Sequence, residues 1–597
     1  MFGVRWGVGF GLILSFTACG TSEPSTVDVA DAAGDTQGHA EQSSGTGDGT
    51  TEGAFDGGTS DGTDDGTPAE PEPPIFPLTG PSIWTSQEML QRAWLGIAKG
   101  EEPFASAWER VRGAADELLD TSLEPYQGEE YLRFYRTARD QGQALRHLAI
   151  AHHLSGEPAY LDAARALLLA WVDDGLENTS PASELPHSAG LVIGRTMSIF
   201  ADGYALVHHA LSVDERQAVE DWLAAKVPII QQSRQIWESG TYASFGPPWL
   251  DEQFFNNHLG AQTMGLLAIG YATGDEALVQ EELRGASNPR DLETLIEGVV
   301  FMPGDALYKK DPTLTAGAPA VRAGEIYDRY RVTGGSGIHY AHLHLRLLTL
   351  MALMADNNAD GDYFAYTAEG GEQLLLSFQF YGAFAVEGRS NARTGYYEGS
   401  PVDWDMLGLF ELAHRYYPDE VEIIEALELR PRVRRDRETF GWTAPLLFAQ
   451  GDIAHRVGRW EFERNGRAEG WLARKSVTLS VDAGALAVQL QGSDPGMLSP
   501  EQLGLPTSQY GTLRLGVRNV AVDGQLQVFF TTTDEPVFSA ERELVAPLPP
   551  AGGAQAEVVV DLASHPLWSG TLAQLRIDPY DGNVPGQIVF DYIRLEP

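Results

Sequence analysis

The chain has 597 residues, 43% of them hydrophobic, with 84 Asp and Glu against 41 Lys and Arg and a formal net charge of −43. That content supports a sizeable core. The acidic balance argues against nucleic acid and against a polybasic contact with anionic lipid. A single cysteine excludes a disulfide scaffold and a Cys-based zinc cage, and no apolar run approaches the roughly 20 residues of a spanning helix.

Met1–Ala18 carries one cation, Arg5, then an apolar stretch through Gly7–Phe16, then Phe16-Thr17-Ala18 directly before Cys19. A short apolar run ended by small residues reads as an export signal that is removed. The segment resembles a bacterial lipoprotein signal, with Phe16 where Leu is usual. The resemblance implies cleavage before Cys19 and lipidation of its thiol. It also implies an exported protein held at the outer membrane or cell surface by that lipid alone. Thr21–Pro74 contains 13 acidic residues, no Lys or Arg and almost nothing apolar. Such a chain cannot bury enough surface to fold, so residues 19–74 are expected to be an acidic tether.

From about Pro81 to Asp436 apolar residues recur at spacings of three and four. The pattern predicts helices over Ser86–Lys99, Pro103–Leu119, Thr137–Leu154, Ala159–Val172, Ser188–Leu211 and Glu215–Ser233. It predicts further helices over Asn257–Ala272, Ala277–Arg284, Asp291–Val300, Tyr340–Ala355, Gly371–Phe380 and Asp403–Tyr416. Ser155-Gly156-Glu157 and Thr273-Gly274-Asp275 share one form: Gly stops a helix and an acidic residue opens the next. Helical hairpins with mostly short connections predict an α/α toroid, an incomplete barrel, over residues 75–438.

After about Thr439 the period changes. Short alternating segments at Val477–Val481, Leu486–Gln491, Leu513–Val520, Leu526–Thr532, Ala556–Leu562, Leu572–Ile577 and Gln587–Leu595 predict an antiparallel β-sandwich over residues 439–597. Its Trp460 and Trp568 read as core residues, since most sandwich tryptophans pack inside.

Two helical motifs could carry chemistry. Asn256-Asn257-His258 stands at a predicted helix start. The plain reading is an Asn N-cap with a histidine in the first turn. The chemical reading is an anion site, because amides donate to a carboxylate, the helix end favours negative charge and imidazole titrates near neutrality. The second motif is Glu325-Ile-Tyr327-Asp-Arg329-Tyr330-Arg331, followed by a Gly-rich stretch and His339-Tyr340. Tyr340, His344, Leu347 and Met351 share one helical face. The plain reading is a snorkelling Arg pair and a half-buried Tyr. The chemical reading is a local concentration of guanidinium, whose planar fork suits a carboxylate.

Together Gln141–Ala149 with Ser155-Gly156-Glu157, Asn256-Asn257-His258, and Glu325…Arg329…His339-Tyr340 resemble the alginate-lyase type of polysaccharide lyase over residues 81–420. The resemblance implies an α/α toroid that cleaves a uronate-containing polysaccharide, alginate first, by β-elimination. Residue by residue it implies Asn257, His258, Arg331 and Tyr340 as the catalytic group, with Asn256 and Arg329 at the substrate. Neutralising the uronate carboxylate with Asn257 and an Arg stabilises the enolate-like charge that forms when the C5 proton leaves. Tyr340 is the expected acid, and either Tyr340 or His258 the base. Tyrosine titrates near about 10, so a phenolate base needs a neighbouring cation. The scheme requires no cofactor and no metal. Its partner is an acidic polysaccharide, and the protein is expected to act as a monomer.

The β-domain, through Trp460, Glu469-Gly470-Trp471, Asp494-Pro495, Phe529-Phe530, Trp568 and Phe590-Asp591-Tyr592, is similar to galactose-binding-like jelly-roll modules over about residues 455–597. Asp356-Asn-Asn358-Ala-Asp360-Gly361 opens like a calcium loop, but Thr367 stands where the closing Glu belongs, so it reads as a turn. Arg430, Arg432, Arg434, Arg435 and Arg437 read as a solvated or ion-paired run. Two other functions stay open. One is a glycan-binding lipoprotein without activity; the other is a toroidal glycoside hydrolase using Asp251 and Glu252.

Overall fold

The computed structural model describes residues 77–128, 130–173, 186–239, 254–307, 309, 320–330, 337–388, 406–451, 453–520, 524–583 and 585–597, except the side chains of Arg329 and Tyr330. Cys19, the acidic tether, Asp251, Glu252 and Arg331 lie outside them. The described residues belong to one compact unit that begins at Pro71.

The helices are α1 (Gln87–Lys99), α2 (Phe104–Leu119), α3 (Tyr131–Ser155), α4 (Pro158–Asp173), α5 (Pro186–Val207), α6 (Val213–Ala224), α7 (Val227–Ser239) and α8 (Asn257–Thr273). They continue as α9 (Glu276–Arg284), α10 (Leu292–Val299), α11 (Gly337–Asn357), α12 (Leu374–Glu387), α13 (Leu407–Tyr416), α14 (Val421–Leu429) and α15 (Thr443–Phe448). The two echoed stops are real: Gly156 and Gly274 end α3 and α8 at φ 75° and 70°, a conformation only glycine adopts freely. Asp275 then caps α9, its side chain accepting from the Leu278 amide. The predicted helix Glu215–Ser233 is two helices, α6 and α7. Pro228 lacks an amide hydrogen and fits only a first turn, so the chain must restart there.

α3 packs on α5, α5 on α8 and α8 on α11. Contacts climb together along these pairs. Gly142 meets Ile199 while His153 reaches the Leu206 carbonyl, and Gly260 meets His344 while Tyr271 reaches Asp360. Between α5 and α8, His187 lies near Trp237 beside His258, and Ser198 approaches the Met264 carbonyl. These helices therefore run parallel and gather their N-termini at one end. α5 and α8 touch backbone to backbone, because a Cβ on Gly265 would stand 2.3 Å from the Gly194 Cα. α15 packs on α1, α2 and α13, joining the end of the ring to its start. This last helix lies beyond the expected boundary at residue 438 and completes the toroid.

A tight hairpin, Asp436–Gly441, fills part of the ring's interior. Gln143 of α3 donates to the Asp436 and Arg437 carbonyls, Arg195 of α5 pairs with Glu438, and Arg346 of α11 stands 3.7 Å from Asp436. Gly441, at φ 60°, presses against the His147 ring. Burial drives His147 down to about 3, so it stays neutral and its Nε2 accepts from the Trp442 amide at 3.1 Å. Behind the ring wall, Arg146 and Asp202 form a fully buried pair at 2.6 Å. Asp202 also accepts from the Trp84 and Thr85 amides, which locks the leading segment to α5.

Arg435 and Arg437 of the basic run are exposed, as expected of a solvated run, but Arg430 and Arg432 are not. Arg430 is fully buried and donates to the carbonyls of Ala385, Val386, Glu501 and Gln502. Arg432 forms a two-bond pair with Glu411, in line with the paired alternative. The calcium-like turn is bonded to its neighbours: Tyr416 donates to Asp356, Tyr271 to Asp360, and Asn358 to the Ser82 carbonyl.

The sandwich has strands β1 (Arg459–Trp460), β2 (Leu472–Lys475), β3 (Val477–Asp482), β4 (Ala485–Leu490), β5 (Gly496–Leu498) and β6 (Leu505–Pro506). Strands β7 (Thr512–Asn519), β8 (Gln525–Thr532), β9 (Glu543–Pro547), β10 (Ala556–Asp561), β11 (Thr571–Asp578) and β12 (Gly586–Glu596) complete it. One sheet runs β10-β7-β12-β4-β3 with β1 on β12; the other runs β2-β5-β11-β8-β9 with β6 on β11. All pairings are antiparallel. Trp460, Trp471 and Trp568 are core, as their setting between alternating strands predicted for the first and last. α14 docks on this half through its acids: Glu428 holds Arg456 and Arg464, and Glu425 and Glu422 hold Arg467. Among the described residues no helix is long and apolar enough to cross a membrane.

Candidate active site

The site is built at the gathered N-termini. α8 starts where the sequence places it, because Asn256 adopts an extended backbone and its Oδ1 accepts from the His258 amide at 3.0 Å. Asn256 is wholly buried, so its carbonyl serves the helix end; the plain N-cap reading holds for this residue.

Asn257, 1% exposed, points the other way. Its Nδ2 donates to Asp328 Oδ1 at 3.2 Å, and Asp328 Oδ2 stands 2.6 Å from His344 Nδ1. Asp328 lies in the 3-10 turn Tyr327–Tyr330, and His344 lies in α11, one turn beyond Tyr340 on the same face. One carboxylate therefore ties the start of α8 to the helix that carries Tyr340. His344 comes this close because position 260 is glycine; a Cβ there would stand 2.7 Å from the imidazole Nε2.

His258 and Tyr340 are both half-buried. The His258 ring lies flat on Trp237, with centroids 3.9 Å apart and planes 16° from parallel. His187 is near-parallel to the same indole at 6.3 Å, and burial holds its imidazole below the usual histidine range. Tyr340 makes an edge contact with exposed His339, centroids 5.4 Å apart.

Beneath these residues, Phe255 packs edge-on to Tyr327, and Tyr327 stacks on Phe301 at 5.9 Å. Phe254 lies 3.4 Å under the Arg290 guanidinium, whose burial lowers it to about 10 despite Glu238 at 3.6 Å. Glu325 is buried and accepts from the Arg322 amide at 3.1 Å, so it braces the loop before the 3-10 turn. Arg329 has its backbone in that turn, and Arg331 lies beyond the described residues.

The interior has a second polar wall. Arg139 of α3 and Arg195 of α5 converge on Glu438 of the hairpin, to which the Tyr135 hydroxyl donates at 2.5 Å. Burial alone would raise the Glu438 carboxyl, yet Arg195 and Arg139 hold it down to about 2. The three ionic side chains remain 13–19% exposed, unlike the sealed Arg146–Asp202 pair.

The sequence expects Asn257, His258 and Tyr340 in the site, and the structure sets two residues it did not single out against the first two: Asp328 bonded to Asn257, and Trp237 stacked on His258. The available signal for Asp328 was a lone acid between Tyr327 and Arg329. His344, one turn from Tyr340, was noticed only as a position on the helix face. Among the described residues no group of His, Cys, Asp and Glu is arranged to hold a metal ion.

A helical toroid with an amide, an imidazole and a phenol gathered at one end of its ring, backed by a β-sandwich, defines the class of protein. Residues 124–292, from the segment before α3 to the start of α10, match the family model for alginate lyase. Among solved structures, alginate lyase A1-III from Sphingomonas species A1 is similar at 16% identity and a TM-score of 0.42, covering 60% of this chain and 94% of that one. An alginate lyase from Bacteroides ovatus is similar at 14% identity and a TM-score of 0.44, covering 62% and 99%. An alginate lyase A1-III variant complexed with tetrasaccharide is similar at 17% identity and a TM-score of 0.43, covering 62% and 96%. No curated protein matches the chain.

Proposed function

We propose that this protein is a polysaccharide lyase that cleaves a uronate-containing polymer, alginate being the first candidate, by β-elimination. The observation that carries the reading is the Asp328 bridge, which ties Asn257-His258 to the helix bearing Tyr340. The family match over residues 124–292 supports the same chemistry.

The uronate carboxylate makes the C5 proton acidic only when its own charge is neutralised. The second N–H of the Asn257 amide, with Arg329 or Arg331, supplies that neutralisation where charge develops. His258 or Tyr340 takes the C5 proton. The electron pair forms the C4–C5 double bond and expels the glycosidic oxygen from C4, and Tyr340 protonates that oxygen. Asn256, whose side-chain oxygen accepts from the His258 amide, sets the helix start that places Asn257 and His258.

The polymer is anionic and so is the protein, so encounter is slowed by long-range repulsion. Salt screens charges beyond about 10 Å and leaves the local guanidinium groups effective, so moderate ionic strength favours turnover. We further infer that Cys19 carries a lipid that holds the exported protein at a membrane surface through the acidic tether. Cys19→Ala is then released from membranes on fractionation, and continued membrane association of that variant contradicts the anchor.

The test of activity is incubation with a panel of polyuronates while following ultraviolet absorbance from the new C4–C5 double bond. Elimination gives absorbance with each new chain end. Reducing ends without absorbance indicate a hydrolase, and binding with neither indicates a glycan-holding protein.

A further inference from the structure

We infer that Asp328 and His344 are positioning residues for catalysis: a buried carboxylate–imidazole pair that fixes the amide of Asn257 and clamps the helix of Tyr340 to that of His258. The inference rests on the lyase reading and adds to it two residues that touch no sugar.

The argument begins with burial. Asp328 and His344 have no side-chain exposure, and Asn257 has 1%. A carboxylate placed there is costly unless both oxygens are bonded, and both are: Oδ1 accepts from Asn257 and Oδ2 from His344. An ionised carboxylate can only accept, so the imidazole hydrogen sits on Nδ1.

The same acceptor-only character selects the orientation of the Asn257 amide. With Oδ1 of Asn257 turned toward Asp328, two oxygens would face each other in a dry site. With Nδ2 turned inward, one N–H goes to Asp328 and the second leaves the same nitrogen at a fixed angle. That second N–H is the donor the substrate carboxylate requires. His344 matters for charge as well as geometry. An unbalanced Asp328 would repel a uronate held one amide away, and the imidazole N–H draws its negative charge inward.

The pair also sets distance. The Asp328 turn lies against α11 and α10, and α8 packs on α11. His344 reaches Asp328 beside Gly260, where any side chain would push the imidazole out. Tyr340 sits one turn along the same face, so its reach toward the first turn of α8 follows the His344 bond. A shift of about 1 Å between reacting groups can cost about 100-fold in rate, which is the scale on which such a clamp acts.

The test uses the full chain and steady-state kinetics on a polyuronate that the wild-type protein eliminates. Asp328→Asn keeps the shape but removes the charge and one of the two acceptor oxygens, so Asn257 and the His344 N–H can no longer both donate to it. It is expected to lower kcat at least about 10-fold while KM stays within about 3-fold. His344→Leu is expected to do the same, and His344→Asn, whose amide nitrogen replaces Nδ1, to recover much of the loss. Thermal unfolding of each variant separates rate from stability. Unchanged kcat in Asp328→Asn, or equal kcat in His344→Leu and His344→Asn, overturns the inference. Wild-type protein that yields no unsaturated product overturns the lyase reading instead. In that event the downfield proton signal of the His344 N–H, present in wild type and lost in Asp328→Asn, still reports whether the pair exists.

Discussion

The ring and the sandwich bury polar side chains for different ends. In the sandwich several buried polar groups satisfy backbone: Asn519 donates to the Pro549 carbonyl, Gln574 to the Ser499 carbonyl, and Trp568 to the Tyr510 carbonyl. In the ring, Asn257, Asp328 and His344 bond one another, and Arg139, Arg195, Tyr135 and Glu438 do likewise. Side chains that complete strand ladders are scaffolding. Side chains that hold each other in an otherwise apolar wall are retained against a desolvation penalty; the Arg146–Asp202 pair locks elements together this way, whereas Asn257, Asp328 and His344 do so where the helix N-termini gather.

The sharpest break in this comparison is removal of the reacting groups. Tyr340→Phe and His258→Ala should each lower kcat by at least about 1000-fold, as members of a catalytic unit do, with polymer binding largely kept. Turnover within about 10-fold of wild type in Tyr340→Phe would remove that residue from the mechanism.

A smaller effect is expected one layer out. Trp237→Leu takes away the surface on which His258 lies at 3.9 Å, so the imidazole samples more orientations. A loss of about 10-fold in kcat with little change in KM is expected. An equal loss in Trp237→Phe, which keeps an aromatic face, would assign the effect to packing alone.

The second polar wall tests stability. Glu438 titrates near 4.5 when unfolded and at about 2 when folded. Its contribution is thus present in full above about 4.5 and lost as pH falls from there through about 2. Glu438→Gln should cost about 3 kcal/mol at neutral pH by leaving Arg195 without its carboxylate and Arg139 with Asp140 alone, and should flatten the acid limb of stability. Chemical denaturation against pH reads both, and an unaltered acid limb would show that the hairpin does not depend on this carboxylate.

The least effect on turnover is expected from the sandwich core. Trp460→Leu should lower unfolding stability by a few kcal/mol and leave kcat on short oligouronates unchanged. A loss of kcat in well-folded Trp460→Leu would bring the sandwich into the site and erase the contrast.

How much of this was legible follows from the range of each signal. Helical period, Gly stops and strand alternation are local, so the toroid-then-sandwich order, the ends at Gly156 and Gly274, and the core tryptophans could all be read from sequence. Asn257, His258 and Tyr340 were expected only as members of two motifs far apart in the chain, and no local signal joins those motifs. Asp328 was not legible, because its importance lies in two hydrogen bonds to helices 71 and 16 residues away. Trp237 was equally silent, since a tryptophan at helical spacing reads as core. The joining of the ring by α15, past the expected boundary, was hidden because a six-residue apolar segment carries too little period to declare itself.

The measurement that bears most directly on the central claim is the structure of the Tyr340→Phe protein with a bound oligouronate. The account predicts one sugar whose carboxylate accepts from Asn257 Nδ2 and whose C5 lies within reach of both the His258 ring and the ring at position 340. An oligomer bound with that carboxylate away from Asn257, or with His258 and position 340 facing different sugars, would contradict it.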